Sequence, residues 1–207
     1  MDQWCSSLQR QRRVLATNKV EMRLEYTHKG IAKYNFSGTM WMDPQRLVAY
    51  FRSMGSIVSA ISFSSKSMVV VNYRDREQWV LDPSESLQES FGVDLTGREL
   101  FDVLRGVVPG PEHPWEKHKL RKQFIRWSNS HGEWAQVDAN SWLHGLRMCH
   151  VQECRVIEFG PQSFEQEGLH YPQWLSLQHK QGNVRIYIKD ISTIDQIPSS
   201  VLSPPLI

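Results

Sequence analysis

The chain has 207 residues, 40% of them hydrophobic and 22% charged, enough apolar material for a sizeable core and too much for a disordered or low-complexity chain. Its 24 Lys and Arg against 22 Asp and Glu give a net charge of +2, without the strongly basic footprint of a nucleic-acid-binding domain. No apolar run approaches the roughly 18 residues that span a bilayer as a helix, and the N-terminus lacks the charged region, apolar core and small-residue cleavage site of a signal peptide.

Taken in order, Trp4 to Leu15 reads as a short helix or arm, with Trp4 and Leu8 on an apolar stripe and Arg10, Arg12 and Arg13 on a solvated face. Residues 1–19 are accordingly set apart from a single main domain over 20–191. From Val20 to Leu81 the period becomes two: Val20, Met22, Leu24 and Tyr26 alternate with Glu21, Arg23, Glu25 and Thr27, which predicts a strand buried on one face only. Ala32 to Met42 repeats the pattern after a turn at His28-Lys29-Gly30. Asp43-Pro44-Gln45-Arg46 is a turn, because proline fixes φ and withholds a donor. Leu47 to Arg52, Ile57 to Phe63, Met68 to Tyr73 and Gln78 to Leu81 complete a meander. Such a meander makes a curved antiparallel sheet whose concave apolar face needs a cover.

Next the period changes. Ser84 to Phe91 carries Leu87 and Phe91 four apart, which predicts one short helix. Thr96 with Glu99 forms a capping box ahead of Leu100, Phe101, Val103 and Leu104, while Gly106 and Pro109 stop a second helix. The segment 84–106 is thus a helical lid. Val107 to Pro114 is a loop, and the basic stretch Glu116 to Trp127 reads as an outer strand with long charged side chains on its wet face. Strand-like pieces follow at Ala135-Gln136-Val137 and Cys154 to Phe159, then a hairpin of Pro172 to His179 and Val184 to Lys189 across Lys180-Gln181-Gly182-Asn183. The proline-containing tail, 192–207, is extended, packed on the surface or loose. The fold class is mainly β (α+β).

There is no G-x-S-x-G elbow, Walker loop, G-x-G-x-x-G or H-E-x-x-H, and the histidines are scattered, so no catalytic residue, metal ligand or cofactor is assigned. Cys149 and Cys154, with four residues between them, either face each other across a hairpin as a disulfide or stand as two free core thiols. Cys5 is left over.

The run Phe36 to Phe63 with the loop Ser53-Met54-Gly55, followed by Phe91-Gly92-Val93-Asp94-Leu95 through Leu100, Leu104, Gly106, Val107 and Pro109, resembles the LolB family of outer-membrane lipoprotein receptors and its LolA relatives. The hairpin of Tyr171-Pro172-Gln173-Trp174-Leu175-Ser176-Leu177 and Val184-Arg185-Ile186-Tyr187-Ile188 is similar to that family's closing hairpin. The resemblance covers about Val20 to Lys189. It implies a curved, half-open antiparallel β-barrel covered by short helices, and an apolar cavity that accepts acyl chains without covalent chemistry. The cavity candidates are Met22, Leu24, Tyr34, Phe36, Met40, Ile61 and Phe63 from the sheet, and Phe91, Leu100, Val103 and Leu104 from the lid. Met54 takes the place of the protruding membrane tip, although Ser53 stands where the family often has proline; the plain alternative is a turn residue folded back on the body. Cys5 lies where the receptor carries its lipid anchor, but Asp2-Gln3-Trp4 do not make a lipobox.

The partners implied are lipoprotein acyl chains or other lipids, the membrane surface, and a periplasmic carrier or envelope-complex protein, with no nucleic acid. The place implied is the envelope of a Gram-negative bacterium, at the periplasmic face of the outer membrane or in the soluble periplasm. Two rivals use the same elements: a structural or docking subunit of an envelope complex with a filled core, and an enzyme acting on a small hydrophobic substrate.

Overall fold

A computed structural model of the chain describes residues 17–28, 30, 32–87, 95–104, 116–119, 124–138, 143–150, 153–166, 169–179 and 182–202. The arm Trp4 to Leu15, Cys5, Phe91, Gly106, the loop Val107 to Pro114 and residues 203–207 lie outside them.

The first half is the expected meander: β1 (Asn18–His28), β2 (Ala32–Met42), β3 (Leu47–Ser53), β4 (Ser56–Phe63), β5 (Met68–Asn72) and β6 (Glu77–Leu81). After helix α1 (Gly97–Leu104) come β7 (Glu116–Lys119), β8 (Phe124–Ser128), β9 (Trp134–Asp138), β10 (Leu143–His150), β11 (Glu153–Phe159), β12 (Gln162–Gln166), β13 (Leu169–Pro172), β14 (Trp174–His179) and β15 (Gly182–Thr193). Thirteen strands form one sheet in the order β6-β5-β4-β3-β2-β1-β15-β14-β11-β10-β9-β8-β7, antiparallel at every pairing, and β12 with β13 makes a separate hairpin. The closing strand β15 pairs with β1 from His28↔Gly182 to Asn18↔Thr193, so the last long strand sits in the middle of the sheet and ties its two halves. The β12–β13 hairpin carried no sequence signal strong enough to be expected.

Period-two burial holds from Asn18 to Arg23 in β1 and at Met40 and Met42 in β2, but β2 departs from it where Lys33, Tyr34 and Asn35 are all exposed and Gly38, Thr39 and Met40 are all buried. The turn into β3 is fixed by Asp43, whose Oδ1 accepts the N–H groups of Gln45 (2.8 Å) and Arg46 (2.7 Å). In β3 one-sided burial fails, because Leu47, Val48, Ala49 and Tyr50 are all buried. The reason is the tail. Ile194 N–H donates to Thr17 O (2.9 Å), a 3-10 turn forms at Ser199–Val201, and Tyr50 Oη–H donates to Val201 O (3.3 Å). Val201 thereby packs on a convex-side cluster of Val48, Tyr50, Ala60 and Val71.

The first predicted helix does not form over its described part. Asp82 Oδ1 accepts both N–H and Oγ–H of Ser84 (2.8 and 2.6 Å), Ser86 bridges to Thr96, and Leu87 N–H donates to Leu95 O (2.8 Å). Those bonds commit the backbone to a turn and a β-bridge, leaving it unable to make i to i−4 bonds. The second helix starts as its sequence dictates: Glu99 N–H donates to Thr96 Oγ1 (3.1 Å) while Glu99 Oε2 accepts Thr96 N–H (2.7 Å). The basic stretch supplies the far edge of the sheet, where β7 exposes Glu116, Lys117 and His118, and the Glu116 and Lys117 charges discourage further strand pairing. Among the described residues no helix is long and apolar enough to cross a membrane.

Candidate apolar binding site

The concave face gathers one continuous core, running from Val20, Met40 and Phe63 through Ile186 and Leu175 to Ile157, Leu146 and Val137. Helix α1 lies over the meander end of it. At about 100° per residue, Gly97, Leu100, Phe101 and Leu104 share one helical face, and that face turns to the sheet. Gly97 lets the helix approach closely: a Cβ there would meet Met68 Sδ at 2.9 Å, so that side chain would have to shift, and would touch Pro83 Cα at 3.4 Å. Phe101 stacks on Phe63 with ring centroids 4.5 Å apart and planes 17° from parallel.

Between helix and sheet remains a cavity of about 30 Å3, floored by Met22 of β1, Met40 of β2, Leu47, Ala49 and Phe51 of β3, Ile61 and Phe63 of β4, Met68 of β5 and Ile186 of β15. Roughly two water molecules would fill that space, whereas drug-sized ligands occupy pockets of about 300 Å3 or more. Every lining side chain is apolar, so the site offers burial and no side-chain group to polarise or protonate a ligand. The lining is also deformable: Met22, Met40 and Met68 have three rotatable bonds each and can repack around an entering chain.

Of the residues expected here, Met22, Met40, Ile61, Phe63, Leu100 and Leu104 line the cavity. Leu24 packs against the core from one side, and Phe36, its partner across β1 and β2, is half-buried. Tyr34 does not reach the site: it stands near the tip of the long β1–β2 hairpin, 50% exposed and stacked on Tyr26 at 6.1 Å. Val103 is buried at 1% exposure but lies roughly 100° off the helix face that lines the cavity. Phe91 is outside the described residues. Sequence reasoning missed Leu47, Ala49, Phe51, Met68, Gly97, Phe101 and Ile186. Phe101 was within reach of a helical wheel, three residues before Leu104.

Met54 is fully exposed at the β3–β4 tip, with φ of 50° beside Gly55 at 85°. Ser53 pairs with Ser56, so the two form a tight hairpin turn that needs positive φ at both positions. A methionine there is strained and points away from the body, which excludes the folded-back alternative. Cys149 and Cys154 are direct partners across β10 and β11 and are joined as a disulfide.

The shifted titrations lie away from the cavity. Partial burial pushes the Glu21 carboxyl upward, but hydrogen bonds from Lys19 and Thr39 and the charges of Lys19 and Arg52 outweigh it and hold Glu21 below its usual range. Burial pushes the Tyr50 and Tyr73 phenols up. Among the described residues no group of three His, Cys, Asp or Glu is placed to hold a metal ion.

A curved antiparallel sheet with a short helix over its concave apolar face defines a class of half-open barrels built to cover oily surface. Solved structures place the chain within it. A LolA superfamily protein from Nitrosomonas europaea matches with a TM-score of 0.67 at 7% identity, covering 99% of both chains. A putative outer membrane lipoprotein-sorting protein domain from Vibrio parahaemolyticus matches with a TM-score of 0.68 at 5% identity, covering 95% of this chain and 93% of the other. A DUF1329 family protein from Desulfovibrio piger also gives 0.68, at 8% identity over 97% and 94%. No protein-family model matches the sequence, and no curated protein matches it. The chain therefore has the LolA/LolB-like fold.

Proposed function

We propose that the protein binds the acyl chains of lipoproteins or other lipids between α1 and the concave sheet, and works in the envelope of a Gram-negative bacterium without covalent chemistry. The observation that carries this reading is the lining itself, apolar on every wall and covered on one side by an eight-residue helix. An acyl chain needs uninterrupted apolar contact, about 0.8 kcal/mol for each methylene buried. Phe63 and Phe101 stack within the lining, and a ligand enters by lifting α1 and repacking the methionines. The Cys149–Cys154 disulfide fits an oxidising compartment. The lipoprotein-sorting neighbour shares the fold and supports the same assignment.

A second reading is favoured by the cavity's small volume: a docking subunit of an envelope complex whose core is simply full. Displacement of a fluorescent fatty acid separates the two. Leu104→Glu puts a carboxylate into the lining and should weaken probe binding at least about tenfold while the fold persists by circular dichroism. Unchanged binding would remove this site from consideration. The exposed Met54 is assigned a separate task, contact with the bilayer during release. Met54→Glu should leave probe binding intact and slow transfer of bound lipid to vesicles; equal transfer rates would end that role.

A further inference from the structure

At the other end of the sheet, the Cys149–Cys154 bond is made differently from a disulfide that staples distant parts of a core. The two residues are direct cross-strand partners five apart in sequence, and their Cα atoms are 4.1 Å apart, below the usual range of about 4.4–6.8 Å. Cys149 N–H points away from β11 and donates to Glu133 Oε1 at 3.3 Å, which marks a pair whose two backbones exchange no hydrogen bonds, the closer of the two antiparallel pairings. Met148 beside it faces the core, so the sulfurs lie on the outer face. Cys154 is exposed and Cys149 half-buried. The bond closes only a hairpin that the β10–β11 ladder already closes, from Gly145↔Glu158 to His150↔Glu153, and a loop this short constrains the unfolded chain little.

We propose that Cys149–Cys154 is an exchange-active disulfide, a modification site that takes two electrons from a dithiol reductant, with Cys154 as the sulfur attacked. A thiolate of the dithiol attacks Cys154 Sγ; the Sγ–Sγ bond breaks, a mixed disulfide forms at Cys154, and Cys149 leaves as a thiolate that takes up a proton. The second thiol of the reductant, deprotonated, then attacks its own sulfur in the mixed disulfide and releases Cys154 as a thiolate, which is protonated in turn. The protein gains two electrons and two protons, and the dithiol ends as its cyclic disulfide. The site is independent of the lipid reading, because neither cysteine nor Glu133 lines the cavity.

The test uses the folded full chain with Cys5→Ser, so that only this pair reports. Reduction by dithiothreitol is followed by alkylation and intact mass, natively and in urea. The expected native rate is within about tenfold of the unfolded rate, with far-UV circular dichroism unchanged after reduction. Native protection of more than about 100-fold, or loss of the fold on reduction, would overturn the proposal by making the bond a structural staple. In the same background Cys149→Ser should capture an aromatic disulfide reagent at Cys154 at least about tenfold faster than Cys154→Ser captures it at Cys149; the reverse order would overturn the assignment of the attacked sulfur.

Discussion

The two faces of the sheet between β2 and β5 are both apolar, yet they are closed by different means. On the concave side the cover is a capped helix resting on methionines and one stacked phenylalanine pair, with space left over. On the convex side Val48, Ala60 and Val71 are exposed by 1% or less, Trp41 packs edge-on against Tyr50, and the tail is pinned by the Tyr50–Val201 hydrogen bond. Flexible side chains repack at low cost, whereas β-branched ones in a ladder do not. One face is therefore adaptable and the other fixed.

The largest expected effect comes from breaking the adaptable face at its plug. Phe101→Ala removes a ring that is 5% exposed and should cost about 3 kcal/mol in urea unfolding. The same change enlarges the cavity, so the fatty-acid probe should bind more tightly and restore part of that stability. A loss of stability with no gain in binding would mean the space cannot admit a chain.

The fixed face gives the matching control. Ala60→Leu forces a larger side chain into a site of 0% exposure beneath the tail, with an expected cost of about 2 kcal/mol. Amide exchange should speed up in residues 199–202 while probe binding stays unchanged. If binding shifts as much as in Phe101→Ala, the two faces are coupled and the contrast between them fails.

A smaller effect sharpens the contrast through pH. Burial raises the Tyr50 phenol, partly opposed by the charge of Arg52, and burial also raises Tyr73. Each neutral phenol therefore stabilises the fold fully below the unfolded tyrosine pKa of about 10, and that contribution is lost as pH rises through the higher folded value. Phenolate absorbance titrations should show Tyr50 and Tyr73 ionising late, and faster exchange of the tail should accompany their ionisation. Probe binding at the concave site should hold until the whole protein unfolds.

Much of the architecture was legible because it rests on local rules. The bounds of β2, the Asp43 turn and the Thr96–Glu99 box are set by residues within a few positions of one another. What escaped depends on distant chain. Tyr50 is covered by the tail, some 150 positions later, a contact that local pattern does not carry. Tyr34 shares the parity of Met22 and Met40, but the β1–β2 hairpin carries it beyond the helix, and parity says nothing of distance along a strand. Ser84 to Phe91 has helical spacing through Leu87 and Phe91, but over its described part, to Leu87, that spacing is overridden by a pairing with residues 95 and 96. Val103 is buried, but on a different face of α1 from Leu100, Phe101 and Leu104.

The central claim is that the concave site opens to take an acyl chain, and native mass spectrometry of protein purified from cells, run beside fatty-acid probe displacement, tests it most directly. The account predicts a saturable, stoichiometric lipid signal that the probe displaces and that Leu104→Glu abolishes. No lipid and no probe binding in the intact protein would contradict it and leave a filled core of a docking module.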